Sequence, residues 1–458
     1  MPSLPIAFRV ALLAAIACAA AFLCAARQAE AQTLGIATGG DTQNLPLVEL
    51  ERELDLIAAA GAGWVRVDIN WAQIQAGGPA SYEWAATDRV IAAARARGLR
   101  VLGVIVYTPA WARPAGTAAT YRPDPGRYAA FAARAVRRYS PAVRHWEIWN
   151  EPNVRAFWTP KPNAQAYVRV LRAAYAKMRQ ADPRAKVLTG GTAPAVSDGT
   201  DIAPVDWLER LYRHGARGSF TAVAHHPYCW PALPGEALSW SAWYQIRGTN
   251  RSLRSVMKDN DDAGKRIWLT EFGAPTGGPP GSFVSEAAQA QMIKRAHEKW
   301  GKQVWMGPLF VYEARDHGSD FSTREDFFGL LRRDFTPKPA YWAFSTMARA
   351  TTPAGRGPDL RLTTARNAAL GPFVRVRLVG VGKRGGRVLE ARLQRKRRGT
   401  WRYVAGRKRR RTNASGAARI ALRALRRSLP KGTYRVRIAI AGGTTRFSPA
   451  MRLKRRLG

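Results

Sequence analysis

The stretch that decides the fold is HWEIWNEPN, which runs from His145 to Asn153. Its residues predict a β-strand that ends at Pro152. On a strand Glu147, Trp149 and Glu151 share one face. In a closed parallel barrel such a face points into the lumen, and the C-terminal end of the lumen is the catalytic mouth. We therefore expect Glu151 to be a carboxyl group buried beside an indole, with a raised pKa that keeps it protonated as a general acid.

A second predicted strand also ends on a carboxylate. It reads IWLTEFGAP, from Ile267 to Pro275, and Gly273 and Pro275 turn the chain just after Glu271. Glu271 follows Glu151 by 120 residues, or three strand–helix units, so the two strands should face each other across the lumen. Two carboxyl groups that face across a mouth are what cleavage of a glycosidic bond requires. One protonates the leaving oxygen, and the other attacks the anomeric carbon or activates water.

Short apolar runs alternate with amphipathic segments over residues 33–350, which predicts parallel β–α–β units closed into a (β/α)₈ TIM barrel. The strand-like runs are Leu34–Ala37, Trp64–Ile69, Val101–Tyr107, His145–Trp149, Val187–Thr189, Phe220–Ala224, Ile267–Thr270 and Val304–Tyr312. The helix-like segments include Pro46–Ala60, Thr87–Arg97, Arg127–Tyr139, Asn163–Gln180, Val205–His214, Ser285–Lys299 and Pro339–Ala350. The alternative is a doubly wound open sheet. However, the TGGD sequence after the first run lacks the G-x-G-x-x-G pattern of a nucleotide-binding loop.

The N-terminal residues predict export from the cell. Arg9 precedes the apolar run Val10–Ala26, and Ala29-Glu30-Ala31 offers a signal-peptidase site, so residues 1–31 are a predicted signal peptide. We expect a secreted, extracellular or cell-wall-associated protein with no stable membrane span after cleavage. An uncleaved membrane anchor is the alternative. After cleavage Cys229 is the one cysteine left, so no internal disulfide is expected.

The chain continues into a strongly basic segment. Gly355–Pro358 (GRGP) predicts a linker between a catalytic domain at 32–354 and a small immunoglobulin-like β-sandwich at 355–458. The predicted strands of the sandwich are Phe373–Val379, Arg387–Gln394, Trp401–Val404, Ala417–Leu422 and Thr433–Ile440. Residues 355–458 hold 31 Lys and Arg but two Asp and Glu, out of a net charge of +41 for the whole chain. We expect this segment to bind an anionic cell-wall polymer. Nucleic acid is not expected, because few aromatic residues accompany the basic turns. A general arginine bias without a binding role is the alternative.

With these residues in place, the chain resembles clan A glycoside hydrolases of families 5 and 39 over about residues 33–350. The motifs that carry the resemblance are WNEP, at the end of the fourth predicted strand, and TEFG, at the end of the seventh. The resemblance implies that Glu151 is the acid/base and Glu271 the nucleophile of a retaining, cellulase-like enzyme that cleaves β-glycosidic bonds of a polysaccharide or oligosaccharide.

The same resemblance implies four supporting residues. Asn150 matches the asparagine that binds the sugar 2-hydroxyl, and Arg66 matches an arginine that pairs with the nucleophile. His226 and Tyr228, in the sequence HHPY, match a histidine and a tyrosine of the sixth strand, where the tyrosine supports the nucleophile. For Glu147 we expect a structural role, as a lumen residue paired with a base such as Arg66.

One departure concerns the eighth strand, where family members carry a tryptophan beneath the sugar. Here the sugar floor is expected from Tyr312, or from Trp230, Trp240 or Trp243 in the loop after the sixth strand.

Neither a metal nor a cofactor is expected. His225 and His226 are adjacent on a strand and should point to opposite faces. Asp316 and Asp320 near His317 could bind a cation, but a solvated acidic loop is the expectation. The alternative function is a non-catalytic carbohydrate- or cell-wall-binding protein. Against it, both glutamates and their supporting residues are present.

Overall fold

A computed structural model describes residues 33–351 and, beyond them, 359–367, 371–379, 388–397, 400–404, 408–411, 417–421, 430, 432–440, 445–447 and 451–453. The predicted signal peptide and the predicted linker, with the domain boundary at 354/355, lie outside these residues. Among the helices that are described, none combines the length and the apolar character needed to cross a membrane.

Eight parallel strands form a closed barrel, which confirms the predicted fold. The strands are β1 (Leu34–Ala37), β2 (Trp64–Asn70), β3 (Arg100–Val106), β4 (His145–Ile148), β5 (Lys186–Leu188), β6 (Ala222–His225), β7 (Arg266–Leu269) and β8 (Met306–Tyr312). They pair in chain order, and β1 closes the barrel against β8 with Gly35 opposite Phe310. Every position of β1 is buried, as expected for a strand that is covered on both faces.

Helices follow the strands along the chain. They are α1 (Leu47–Ala60), α2 (Trp71–Ile74), α3 (Ala85–Ala96), α4 (Pro125–Tyr139), α5 (Ala164–Ala181), α6 (Pro204–Arg213), α7 (Leu253–Asp259), α8 (Glu286–Gly301) and α9 (Pro339–Thr351). Side-chain caps fix where several of them begin. The side chains of Asp124, Asn163 and Ser285 accept hydrogen bonds from backbone N–H groups in the first turns of α4, α5 and α8.

Large apolar side chains fill part of the barrel lumen. This buried cluster consists of Trp64, Leu102, Leu188, Ala222, Ala224, Trp268 and Phe310. The rings of Trp64 and Trp268 meet edge to face at 5.4 Å. A Cβ on Gly307 would lie 2.3 Å from the Trp268 ring, so glycine is required there to make room for the indole. This apolar cluster fills the lower part of the lumen. Polar side chains at the C-terminal ends of the strands can therefore form a site above it.

The basic C-terminal segment folds as antiparallel sheets, as predicted. The strands are β9 (Asp359–Asn367), β10 (Gly371–Val379), β11 (Val388–Arg397), β12 (Thr400–Tyr403), β13 (Lys408–Arg411), β14 (Ala417–Ala421), β15 (Gly432–Ile440), β16 (Thr445–Phe447) and β17 (Met451–Leu453). One sheet has the order β14-β10-β9, and the other contains β12-β11-β15-β16 with β13 and β17 attached. The predicted strands are present, whereas β9, β13, β16 and β17 were not predicted.

The described residues form two compact units. The first contains the described parts of Met1–Thr42, Trp64–Ala85 and Val101–Thr352, and the second those of Gln43–Gly63, Ala86–Arg100 and Pro353–Gly458. The second unit therefore contains α1 together with the C-terminal strands.

A buried ionic cluster joins the sequence-distant segments of the second unit. Asp55 of α1 is 4% exposed, and its Oδ1 accepts hydrogen bonds from Nε of Arg97 and from Nε of Arg437, each at 2.9 Å. Its Oδ2 accepts a hydrogen bond from the hydroxyl of Tyr403 at 2.7 Å. Both oxygens of this carboxylate are thus occupied by donors.

Candidate active site

Glu147 and Glu151 reach the lumen from the fourth strand and from the turn that follows it, and the backbone of that turn differs from the one predicted. Glu147 lies within β4 and is fully buried. Beyond Ile148 the backbone leaves the extended conformation, with positive φ angles of 70° at Trp149 and 47° at Glu151. A continuous strand up to Glu151 was therefore the wrong prediction. Because of this turn, Trp149 does not share the lumen face. Its Nε1 donates to the carbonyl of Phe157 at 2.6 Å, and its ring packs edge to face on Trp158.

Arg66 of β2 is the hub of the site. Its Nε and Nη2 donate to the two oxygens of Glu147 at 2.9 and 3.2 Å, which confirms the pairing predicted for Glu147. Its Nη1 lies 2.5 Å from Oε1 of Glu271, and its Nη2 lies 2.7 Å from Oδ1 of Asn150. Burial opposes the charge of Arg66, but the charges of Glu147 and Glu271 raise its pKa overall. One guanidinium therefore holds three of the side chains at the mouth.

Glu271 follows β7 and receives a donor on each carboxylate oxygen. Arg66 donates to Oε1, and the hydroxyl of Tyr228 donates to Oε2 at 2.8 Å. Burial raises the pKa of Glu271, and the charge of Glu151 acts in the same direction. His226 in its protonated form, Arg66 and the Tyr228 hydrogen bond oppose that rise. These interactions favour the ionised form of Glu271 in a site that otherwise disfavours charge.

Glu151 is in the opposite situation. Burial raises its pKa to about 8, and the negative charges of Glu325 and Glu147 add to the rise. The pKa effect predicted for Glu151 is thus present, although it comes from burial at the mouth and not from the Trp149 ring. The one side-chain partner of Glu151 in the described part of the chain is His226, whose Nδ1 lies 2.7 Å from Oε1. Burial lowers the pKa of His226, which favours the neutral imidazole.

The two glutamates lie close together. One carboxylate oxygen of Glu151, one of Glu271 and a ring nitrogen of His226 all lie within 4.8 Å of one another. This spacing would suit a divalent cation. However, the guanidinium of Arg66 already lies against Glu271, and its positive charge opposes a metal ion at this point. The arrangement is better suited to moving protons and to nucleophilic attack.

A cavity of about 550 Å³ opens over these groups. Arg66, Asn150, Glu151, Tyr228 and Glu271 line it, while His226 lies buried behind Glu151. The aromatic residues of its wall are Tyr107, Phe157, Tyr228, Trp230, Trp240, Tyr312 and Phe328. The structure therefore brings together most of the predicted site residues, namely Glu151, Glu271, Asn150, Arg66, His226, Tyr228, Tyr312, Trp230 and Trp240.

Two of the three loop tryptophans face the cavity. Trp240 is 52% exposed, and Trp230 lies under the guanidinium of Arg324, with 5.1 Å from Cζ to the ring centre. Trp243 is instead buried, and its ring packs edge to face on Phe272 at 5.2 Å. Trp243 is therefore a core residue.

Sequence reasoning missed Asp68, Tyr107, Arg324 and Glu325, all of which line the cavity. A signal existed for Asp68, since it follows Arg66 by two residues on one strand and so shares its face. No comparable signal existed for Glu325, which lies in a short 3₁₀ turn (Glu325–Phe327).

The acidic loop after β8 has structural partners. Asp316 pairs with the buried Lys338 at 2.7 Å, and His317 pairs with the buried Glu313 at 2.8 Å. Asp320 accepts a backbone hydrogen bond from Ser322. Asp316 and His317 are thus engaged within the protein, which argues against a cation site here. Asp320 is exposed, as expected for a solvated loop. For Asp316 that prediction was wrong, because its ion pair with Lys338 holds it inside the protein at 6% exposure.

His225 and His226, which were predicted to point to opposite faces, contact different partners. His225 lies between Thr192 and the carbonyl of Ala242, and His226 lies against Glu151.

Several solved structures of glycosidases share the fold of this chain. A family 39 glycoside hydrolase from Bacteroides cellulosilyticus WH2 shares the fold with a TM-score of 0.55 at 19% identity, over 86% of this chain and 82% of that one. A glucosidase from Croceicoccus marinus gives 0.53 at 16% identity, over 86% and 94%. A GH5_18 variant from Streptomyces cattleya, in complex with Manβ1-4GlcNAc, gives 0.51 at 20% identity, over 72% and 84%.

Curated protein sequences give no match to the chain. The family model of cellulase (glycosyl hydrolase family 5) matches residues 24–306, which is more than half of the chain. The chain therefore belongs to glycosyl hydrolase family 5 and is a glycoside hydrolase.

Proposed function

We propose that the protein cleaves β-glycosidic bonds of an oligosaccharide or polysaccharide with retention of configuration. The observation that carries this proposal is the closeness of the two glutamates, since one carboxylate oxygen of Glu151 lies within 4.8 Å of one carboxylate oxygen of Glu271. Retaining enzymes have carboxyl groups about 5–5.5 Å apart, whereas inverting enzymes need about 6.5–9.5 Å to hold a water molecule between sugar and base. The short spacing favours direct attack by one carboxylate.

Glu271 is the proposed nucleophile. Arg66 and Tyr228 each donate to one of its oxygens and so favour the carboxylate. In the first step a Glu271 oxygen bonds to the anomeric carbon, and the bond from that carbon to the leaving oxygen breaks. The product is a covalent glycosyl ester on Glu271.

Glu151 is the proposed acid/base. With a pKa of about 8 it carries a proton at neutral pH and can give it to the leaving oxygen. The ester then removes the negative charge of Glu271. In the second step the ionised Glu151 takes a proton from water, and the water oxygen attacks the anomeric carbon and releases Glu271. Neutral His226 at 2.7 Å can accept a hydrogen bond from protonated Glu151 or donate one to the ionised form.

Stacking on aromatic rings is the proposed mode of sugar binding. Trp230, Trp240 and Tyr312 line the cavity, and flat indole and phenol rings suit the apolar faces of sugar rings. Asn150, held by Arg66, is the proposed partner of the sugar 2-hydroxyl. Export to the cell exterior, and binding of an anionic wall polymer by the basic C-terminal segment, complete the proposal. They rest on the sequence of residues 1–31 and on the excess of Lys and Arg after residue 355.

The decisive experiment separates the roles of the two glutamates. Glu271→Gln should lower turnover by about 10⁴-fold or more, because the nucleophile is lost. Glu151→Ala should keep its glycosylation step on 4-nitrophenyl glycosides, whose leaving group needs no proton. Its deglycosylation step should be slow, and azide should restore that step to give a retained glycosyl azide. Glu298→Gln, at an exposed glutamate of α8, is the matched control and should behave as the wild type. An inverted product, seen by NMR at early times, would contradict the retaining mechanism.

A further inference from the structure

Asp68 is a carboxylate of the cavity wall that the proposed chemistry does not use. It follows Arg66 by two residues on β2, so both side chains point into the lumen, and both line the cavity. Burial raises the pKa of Asp68 to about 6, and the charge of Arg66 opposes the rise. At neutral pH its ionised form still predominates, so Asp68 presents a hydrogen-bond acceptor to whatever occupies the cavity.

Gly40, which lies next to Asp68 in the cavity wall, carries no side chain. Gly39 and Gly40 line the same part of the cavity, and a Cβ on Gly40 would lie 3.8 Å from Oδ2 of Asp68. A larger side chain at this position would occupy space next to the carboxylate. With glycine there, space for a ligand atom remains beside Asp68.

Asp68 lies at the same end of the cavity as the nucleophile. Arg66 contacts Glu271 directly, and Asp68 lies close to Arg66. Burial raises the pKa of Tyr107, and the charges of Asp68, Glu271 and, last in order, Glu151 add to that rise, so the tyrosine lies near these carboxylates. The sugar bonded to Glu271 in the covalent intermediate is the glycone, and it is therefore the part of the substrate nearest to Asp68.

The charge balance of this end is negative. Arg66 is the one cation of the cavity wall on this side, and its donors are directed to Glu147, Glu271 and Asn150. Arg324, the other cation of the wall, lies over the ring of Trp230. A glycone that carries its own carboxylate would meet Asp68 and Glu271 without a cation free to bind it. A neutral glycone brings hydroxyl groups, which donate well to a carboxylate.

We propose that Asp68 is a specificity-determining residue, which accepts hydrogen bonds from hydroxyls of a neutral glycone and excludes uronic acids. This inference rests on the proposed glycosidase function. Asp68 acts by direct contact with the substrate, so its effect should depend on which hydroxyls and charges the substrate carries.

The test uses the full chain and a panel of 4-nitrophenyl β-glycosides of glucose, mannose, galactose, xylose and glucuronic acid. Asp68→Ala should lower kcat/KM on the best neutral glycoside by about 10- to 100-fold, because a hydrogen bond to a charged group is lost. Asp68→Asn should raise the ratio of glucuronide to glucoside cleavage at least about tenfold. Glu298→Gln is the matched control, since it removes an exposed carboxylate of α8 that does not line the cavity, and it should leave both values unchanged.

Deoxy substrates distinguish direct contact from a structural role. On monodeoxy analogues of the best glycoside, removal of the hydroxyl bound by Asp68 should slow the wild type about 10-fold or more and should not slow Asp68→Ala further. Equal losses in both proteins at every hydroxyl, or an unchanged glucuronide ratio in Asp68→Asn, would overturn the assignment.

If the wild type cleaves neither these glycosides nor β-linked oligosaccharides and polysaccharides, the proposed function fails, and binding decides the inference on Asp68. Tryptophan fluorescence, with Trp230 and Trp240 in the cavity wall, would report the binding of glucose and glucuronate to the Glu271→Gln variant. Glucose binding that Asp68→Ala weakens about 10-fold would support the role of Asp68, and binding that it does not change would refute it.

Discussion

Two buried clusters of arginines and carboxylates lie in this molecule, and their compositions differ. The cluster around Arg66 has one arginine among Glu147, Glu271 and nearby Asp68, and it opens onto a cavity. The cluster around Asp55 has two arginines on one carboxylate, and all three side chains are about 5% exposed or less. An excess of carboxylates drives pKa values upward and apart, which is useful for proton transfer. The Asp55 cluster, with its donors satisfied, serves to hold segments of the chain together.

The largest effect should come from breaking the hub of the first cluster. Arg66→Met removes one of the two donors to Glu271 and leaves Glu147 buried without its counter-charge, so we expect kcat/KM to fall by about 10³-fold. The free energy of unfolding should also fall, by about 3–5 kcal/mol. Steady-state kinetics and urea unfolding measure the two quantities. Arg66→Lys keeps the positive charge but loses the planar, bidentate donor geometry of the guanidinium. Its kcat/KM and its free energy of unfolding should therefore lie between those of Arg66→Met and the wild type. Wild-type kinetics in Arg66→Met would show that the hub is not part of the site.

The matching change in the second cluster is Asp55→Asn. It leaves Arg97 and Arg437 buried without a counter-charge, which should lower the free energy of unfolding by about 3 kcal/mol. The value of kcat/KM below the unfolding transition should not change, because every residue that lines the cavity belongs to the other compact unit. The control is Asp261→Asn, at an exposed pair with Arg217, which should cost less than about 1 kcal/mol. A large loss of activity in Asp55→Asn would contradict the purely structural role that is assigned to the Asp55 cluster.

The pH dependence sharpens the contrast in a third way. Glu151 must be protonated to act as an acid, and its pKa is about 8, so activity should be present below pH 8 and fall about tenfold for each pH unit above it. The folded pKa lies above the ordinary value of 4.5, so the stability linked to this proton is present at low pH and is lost as the pH rises from about 4.5 to about 8. A pH–rate profile and thermal melts of the wild type and Glu151→Gln measure both effects. On 4-nitrophenyl substrates the alkaline fall should be absent from Glu151→Ala, and its persistence there would assign it to another group.

The smallest expected effect concerns the loop tryptophans. Trp240→Ala should raise KM on oligosaccharides several-fold with little change in melting temperature, because its half-exposed ring lines the cavity. Trp243→Ala should instead lower the melting temperature, because its buried ring packs on Phe272. Steady-state kinetics and thermal melts of Trp240→Ala and Trp243→Ala measure the two effects. A raised KM in Trp243→Ala together with a lowered melting temperature in Trp240→Ala would contradict this assignment.

Much of the barrel and of its site could be predicted because both depend on local patterns. Short apolar runs mark the eight strands, which are three to seven residues long. Glu151 and Glu271 follow shortly after the ends of β4 and β7, and this places their carboxylates at the mouth. The contacts of Arg66 with Glu147, Glu271 and Asn150 follow once the strands are arranged in a ring, since their lumen faces converge.

What escaped prediction depends on tertiary context. The backbone turn at Trp149 is stabilised by packing on Trp158, and nothing in the spacing of WNEP indicates it. The strand Lys408–Arg411 is all basic and lacks the alternation of apolar and polar residues that predicts a strand. It is recognised only from its pairing with β11. Asp55 and Arg437 are 382 residues apart in sequence, and no local rule could connect them.

The left-handed backbone of Glu151 has an evolutionary consequence. At a φ of 47° glycine and asparagine are more comfortable than glutamate, and both would also remove a carboxyl group whose ionisation burial disfavours. Random drift under selection for thermal stability alone would therefore lead away from the acid/base residue. A lineage that no longer needed the enzyme could lose its activity in one step and retain a more robust barrel, a route by which sugar-binding proteins without turnover can arise.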